Sequence, residues 1–191
     1  MPTLVLVRHG RTSANATGVL AGRTPGVHLD DTGRGQAQRA AERLAVLPLV
    51  RVVSSPLERT LETARALTAA QSGVLRVRRD KGLVECGYGA WTGRTLKELA
   101  REPLWRTVQA QPSAVVFPGG ESLADVQRFQ YSRVQVGDRG PRRRDDGDRS
   151  MRPFGQAERQ KPRRTLVDSH MQAQQAFLVC LVEGDRQRHR S

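Results

Sequence analysis

Cysteine is nearly absent: Cys86 and Cys180 are the only two in 191 residues. That excludes a disulfide framework and a cysteine-built metal cluster, and it suits a reducing compartment. Long apolar runs are missing too. No stretch approaches the roughly 18 apolar residues of a bilayer-spanning helix. The N-terminal apolar segment, Leu4 to Val7, is stopped by Arg8 and is far too short for a signal peptide. A cytoplasmic protein with no membrane partner is therefore expected. Aromatic residues make up 4% of the chain, and they do not interleave with the basic residues as a base-stacking surface requires. The formal charge of +13 consequently does not make nucleic acid an expected partner, although polyanion binding follows from charge alone. Its location matters. Residues 1–127 hold 17 Lys+Arg against 11 Asp+Glu, a net of +6, and residues 128–191 hold 15 against 8, a net of +7 in half the length. A basic excess in the tail is what a solvated or disordered segment carries.

What is present, first, is alternation. Residues 3–7, TLVLV, form the continuous apolar, β-branched run of a buried parallel strand. A polar, Gly-containing segment from His9 to Asp31 follows, and Thr32 is placed to cap a helix. Gln36, Ala37, Ala40, Ala41, Leu44 and Ala45 make the stripe of that helix. Residues 50–53, VRVV, read as a second strand broken by Ser54-Ser55-Pro56. Leu57, Leu61, Ala64 and Leu67 then share one face of a second helix. Residues 74–77 give a third strand. This βαβαβ order predicts an α/β fold, a mostly parallel doubly wound sheet in a three-layer sandwich, with one compact domain's worth of chain. Beyond it, residues 95–111 read as helix interrupted near Pro103. Pro118-Gly119-Gly120-Glu121-Ser122 reads as a turn that opens a further helix over Glu121–Gln127.

The character then changes. Only 7 of the 37 residues in 128–164 are apolar, about half the whole-chain fraction, and 12 are Lys or Arg. Such a segment buries too little apolar surface to offset chain entropy, so an irregular loop or disorder is expected there. Periodicity returns over 165–182, in a C-terminal element of residues 165–191.

The chemistry-bearing residues begin directly after the first strand, at Arg8-His9-Gly10-Arg11-Thr12-Ser13-Ala14-Asn15. Ligands of open parallel sheets collect at the carboxyl ends of strands, where this segment lies. Gly10 permits close backbone approach, Arg8 offers a fork for phosphate oxygens, and Asn15 offers an amide donor. An imidazole among such donors is a nucleophile towards phosphorus.

Four motifs in order then carry a resemblance. The stretch Leu4-Val5-Leu6-Val7-Arg8-His9-Gly10-Arg11-Thr12-Ser13-Ala14-Asn15 resembles the strand and R-H-G-x-T-x-x-N signature of the histidine phosphatase superfamily, the phosphoglycerate-mutase-like proteins. Ser54-Ser55-Pro56-Leu57-Glu58-Arg59-Thr60-Leu61-Glu62-Thr63-Ala64 resembles its S-S-P-x-x-R-x-x-x-T-A. Leu83-Val84-Glu85-Cys86-Gly87-Tyr88-Gly89-Ala90-Trp91-Thr92-Gly93 resembles its L-x-E-x-x-x-G-x-W-x-G, and Phe117-Pro118-Gly119-Gly120-Glu121-Ser122 its P-G-G-E-S turn. The resemblance implies that His9 is the nucleophile, that Arg8 and Arg59 clamp the phosphoryl group, and that Glu85 protonates the leaving oxygen. It also implies that Ala21, Gly22 and Tyr88 line the substrate pocket. Physics supplies a reason for each role. Charge in the transferring phosphoryl group is spread over its oxygens, so positioned cations carry most of the catalysis. Their field also favours a neutral imidazole.

Two departures stand out. The family's late histidine sits in an S-H-G motif, whereas here the candidate is Val167-Asp168-Ser169-His170-Met171. His170 is carried as the candidate second pocket histidine, after a strand formed by Arg164 to Asp168. The resemblance also stops abruptly near Gln127. A reading-frame shift would produce that, and a divergent insertion is the alternative; the out-of-frame tail is the reading favoured here.

The expected function is phosphoryl transfer from a small phosphomonoester through a phosphohistidine on His9, as a phosphatase or a phosphomutase. No metal or organic cofactor is expected, and a homodimer is left open. The rivals are a catalytically impaired phosphate-binding scaffold and a polyanion-binding protein acting through the basic tail.

Overall fold

The computed structural model describes the backbone of residues 3–136 and 177–182 and the side chains of residues 4–130. A four-stranded sheet organises it, in the order β1-β4-β2-β3. Strand β1 is Thr3–Arg8, β2 is Leu49–Ser54, β3 is Val77–Arg79 and β4 is Phe177–Val182. Strands β2 and β3 pair in parallel, while β4 runs antiparallel to both neighbours, with Arg8 opposite Phe177 and Ser54 opposite Leu178. Thus β1, β2 and β3 point the same way, and their carboxyl ends share one edge of an α/β sheet. The segment of renewed periodicity does hold a strand, and it reverses direction between two strands that are parallel to each other.

Helices α1 (Ser13–Ala16), α2 (Asp31–Leu44) and α3 (Glu58–Ala69) occupy the first half. Ala37 and Ala41 of α2 and Leu61, Ala64 and Leu67 of α3 are buried at helical spacing, as the stripes predict. They meet Leu49 and Val52 of β2, with Val5 and Val7 of β1 packed alongside. Strand alternation sends Leu4 and Leu6 to the opposite face, where they are exposed. Among the described residues, α2 and α3 form the helical layer on the Val5 and Val7 face.

Two expectations shift in place. The cap of α2 is Asp30, whose carboxylate accepts from the Gly33 N–H at 2.7 Å, because a charged oxygen suits the positive end of the helix better than a hydroxyl. Thr32 accepts from Arg11 instead. Strand β3 begins at Val77, not at residue 74. The chain leaving α3 is still returning to the sheet edge, and Val74 is fully in water.

Helices α4 (Leu96–Leu99), α5 (Pro103–Ala110) and α6 (Leu123–Val136) enclose a second core. Pro103 opens α5 at a position where its missing N–H costs nothing. Cys86, Tyr88, Trp91, Leu99, Val108, Val115, Phe117 and Leu123 fill it, and Phe117 meets the rings of Tyr88 and Trp91 edge-on at 4.9 and 5.3 Å. Helix α6 does not stop at Gln127; its backbone stays helical to Val136, so the first nine positions of the segment expected to be irregular are helical. Residues 137–164, His170 and the expected strand from Arg164 to Asp168 lie outside the described residues. Among the described residues no helix is long and apolar enough to cross a membrane.

Leu67 is completely buried at the centre of the first core. Leu67→Ala should therefore cost about 2–5 kcal/mol, through lost transfer energy and the cavity left behind. Urea unfolding checks this, and a cost under about 1 kcal/mol would show that the α2–α3 layer packs loosely.

Candidate active site

The carboxyl end of β1 delivers His9, and the turn after β2 delivers Arg59 in the first turn of α3. Neither is at the surface: His9 is 7% exposed and Arg59 is 1% exposed. The Nδ1–H of His9 donates to the Gly10 carbonyl at 2.7 Å, which fixes the tautomer that presents a lone pair on Nε2. Arg59 Nε–H donates to that Nε2 at 3.3 Å. The same guanidinium donates through Nη2 to the Gly22 carbonyl and to Glu85 Oε2, both at 2.6 Å. Its Nη1 is buried and has no hydrogen-bond partner among the described residues. Glu85, also buried, accepts from the Tyr88 hydroxyl at 3.0 Å on its other oxygen.

The supporting contacts explain why the motif spacings hold. Thr63 lies four positions after Arg59, one helical turn, and the Thr63 hydroxyl donates to the Arg59 carbonyl at 2.9 Å while accepting from the Gly10 N–H at 3.2 Å. Gly10 lies so close to Gly33 that an added Cβ would come within 2.3 Å of the Gly33 carbonyl oxygen. The loop after His9 is thereby locked against the start of α2, where Arg11 pairs with Asp30 at 2.7 Å. Asn15 closes a capping box with Thr12 through its side-chain oxygen, at 3.1 Å from the Thr12 nitrogen. Of the sequence-identified residues, His9, Arg59, Glu85, Gly22 and Tyr88 thus form one contact network. Ala21 adjoins Gly22 in the chain. Arg8 is exposed at the end of β1 but close enough for its charge to act on His9 and Glu85.

Burial sets the proton states. It lowers the His9 pKa to about 4, outweighing the Gly10 hydrogen bond that raises it, and the charges of Arg59 and Arg8 lower it further. Burial raises Glu85 above the ordinary carboxylate range, against the pull of Arg59, Tyr88 and Arg8. Tyr88 is raised well above the usual phenol value by burial and by Glu85. Cys86, pushed up to about 12 by burial, is an inert thiol. His28 is an exposed residue paired with Glu62. Among the described residues, no three His, Cys, Asp or Glu side chains gather as a metal set; the positive charge comes from guanidinium groups.

Residues that sequence reasoning left without a role are Thr63, Arg23 and Glu121. Thr63 was legible as a motif position. Arg23 lies in a polar loop with no pattern to mark it, and it ion-pairs with Glu121 at 2.7 Å. An open groove of about 1110 Å³ lies beside that pair, lined also by Lys81, Val116 and Phe129.

Comparison with known proteins identifies relatives of this chain. The family model described as "Histidine phosphatase superfamily (branch 1)" matches residues 4–191. A bifunctional protein of Mycobacterium tuberculosis is 41% identical over 128 residues, 65% of this chain and 34% of that protein. Phosphoserine phosphatase 1 of Hydrogenobacter thermophilus is 35% identical over 138 residues, 71% of this chain and 62% of its own. The solved structure of mycobacterial glucosyl-3-phosphoglycerate phosphatase with VO3 superposes with a TM-score of 0.63 and 32% identity, covering 71% of this chain and 66% of that one. This chain therefore spans about a third of the first relative's length and just under two thirds of the second's.

The depressed His9 pKa links to stability. The folded protein binds that proton only near pH 4, whereas the unfolded chain binds it near 6.5, so stability is lost as pH falls through that window. Lowering the pH from 7 to 4.5 should cost the parent about 2–3 kcal/mol more than it costs His9→Asn. Urea midpoints at both pH values measure this; equal losses would mean that His9 titrates normally.

Proposed function

The chain belongs to the histidine phosphatase superfamily, and on that premise we propose that it hydrolyses a small phosphomonoester through a phosphohistidine at His9. The observation that carries the reading is the Arg59 guanidinium, held against His9 Nε2 with Nη1 buried and unpaired among the described residues. A buried donor without a partner costs free energy, and a phosphoryl oxygen beside the nucleophile supplies the partner.

The chemistry follows from the proton states. Neutral His9 attacks phosphorus with its Nε2 lone pair, forming a nitrogen–phosphorus bond as the phosphorus–oxygen ester bond breaks. Arg59 and Arg8 meet the charge that spreads over the phosphoryl oxygens. Glu85, whose hold on a proton is strengthened by burial, gives that proton to the departing alkoxide. The resulting Glu85 carboxylate takes a proton from water, whose oxygen attacks the phosphohistidine and releases inorganic phosphate. In a mutase, a substrate hydroxyl would replace that water. Hydrolysis is proposed because the named relatives include a phosphoserine phosphatase and a glucosyl-3-phosphoglycerate phosphatase. Asn15, Ala21, Gly22 and Tyr88 are proposed to line the substrate side of the pocket.

A second reading, phosphate binding without turnover, is favoured by one observation. Pairwise likeness to these relatives spans only 128–138 residues. An out-of-frame tail remains proposed on the same ground. Turnover separates the two readings.

His9→Ala should reduce hydrolysis of p-nitrophenyl phosphate to background and remove the acid-labile phosphoenzyme seen by 32P labelling. Glu85→Gln should lower kcat on an alkyl ester by about 10²–10⁴-fold. The parent's kcat/KM should fall on the acid side near pH 4, as His9 protonates, and on the alkaline side as Glu85 ionises above its usual range. Residual turnover in His9→Ala equal to the parent's would sink the proposal.

A further inference from the structure

The P-G-G-E-S turn has no part in the chemistry above, yet it grips the segment that carries Glu85. Glu121 Oε2 accepts from the Gly87 N–H at 2.8 Å and from Arg23 Nη2 at 2.7 Å. Arg23 Nε donates in turn to the Glu85 carbonyl at 2.6 Å. The Glu121 N–H donates to the Gly87 carbonyl at 2.8 Å. Three main-chain groups of residues 85–87 are therefore held by one glutamate and its arginine. Gln130 adds a bond from α6 to the Val84 carbonyl at 3.0 Å.

The turn can come this close only because its partners lack side chains. A Cβ on Gly120 would sit 2.4 Å from the Gly87 carbonyl oxygen, and one on Gly89 would sit 2.2 Å from the Pro118 carbonyl oxygen. The two motifs are thus interlocking halves of one support. We propose that Glu121, acting with Arg23, is a positioning residue that holds the Glu85 carboxyl beside His9 and in reach of the leaving oxygen. This rests on the phosphatase reading and adds to it the residues that place the proton donor.

Exposure argues for placement over stability. The Arg23 and Glu121 side chains are 44% and 40% exposed, and an ion pair this wet adds little to folding free energy. Its geometric effect is larger. Proton transfer in the transition state requires hydrogen-bond reach, so a small shift of the Glu85 main chain takes the acid off line.

The test uses two esters that differ in their need for that acid. The nitrophenolate of p-nitrophenyl phosphate departs unprotonated, whereas the alkoxide of β-glycerophosphate requires a proton. Glu121→Ala and Arg23→Ala should each lose at least about tenfold more kcat on β-glycerophosphate than on p-nitrophenyl phosphate, the selectivity expected of Glu85→Gln. KM should move little. Glu121→Gln, which keeps an acceptor for the Gly87 N–H, should recover most of the loss. Should Glu121→Ala fail to fold, Arg23→Ala, from a separate exposed loop, gives the same readout. Equal losses on both esters, or no loss in variants that melt like the parent, would overturn the assignment. Full activity in His9→Ala would instead overturn the phosphohistidine reading. A dead His9→Ala and a selective Glu85→Gln beside a non-selective Glu121→Ala would sink the Glu121 role alone.

Discussion

A guanidinium buried to 1% exposure is the constraint around which the other parts of this fold arrange themselves. Taking such a charge out of water costs several kcal/mol unless it is paired and hydrogen-bonded. Arg59 meets the requirement with the Glu85 carboxylate, the Gly22 carbonyl and the His9 ring. Those partners come from three separate loops, so α3 cannot seat its first turn without drawing the end of β1, the residue 22 loop and the Glu85 segment together. The remaining nitrogen, Nη1, goes unmatched among the described residues. A core selected for stability alone would satisfy or delete that donor. Its retention beside the His9 ring fits a site built for an anion.

The fold was legible to the extent that local patterns decide it. Apolar stripes located α2, α3 and the first two strands, because burial on one face imposes a period. Boundaries shifted where a neighbouring side chain served better, as Asp30 rather than Thr32 caps α2. The direction of β4 was not legible. The sequence pattern places the strand of residues 165–191 at Arg164 to Asp168 and leaves the rest of that element unassigned; Phe177–Val182 is a strand whose direction is decided by neighbours remote in sequence. Within the site, His9, Arg59 and Glu85 could be read from motifs, since each is tied to a turn of fixed length. Arg23 could not be, because its partners are main-chain and side-chain atoms 62 and 98 positions away.

The two halves of the described chain serve different ends. Aliphatic packing between α2, α3 and the sheet carries His9 and Arg59, while the aromatic cluster around Trp91 and Phe117 carries Glu85 and Tyr88. Each core is local to its own segment, so the proposed nucleophile and the proposed acid are fixed independently. They meet through Arg59, whose ion pair with Glu85 is buried on both sides. Breaking one member of such a pair is costly, because the other charge is then left alone. The contact therefore sets the relative position of two separately packed units.

Burial also does something that hydrogen bonds alone would not. It disfavours charge on either kind of group, so it pushes a base down and an acid up. His9 is lowered to about 4, and Glu85 is raised above the ordinary carboxylate range even though it pairs with Arg59. A neutral imidazole is a nucleophile and a neutral carboxylic acid is a proton donor. One physical cause, exclusion of water, thus prepares both partners of the proposed reaction. The arginines oppose this at Glu85 and reinforce it at His9. An incoming phosphoryl group, by drawing the Arg59 charge to itself, would weaken the hold on the Glu85 carboxylate and favour its protonated form. The acid would then be loaded by the arrival of the substrate that needs it.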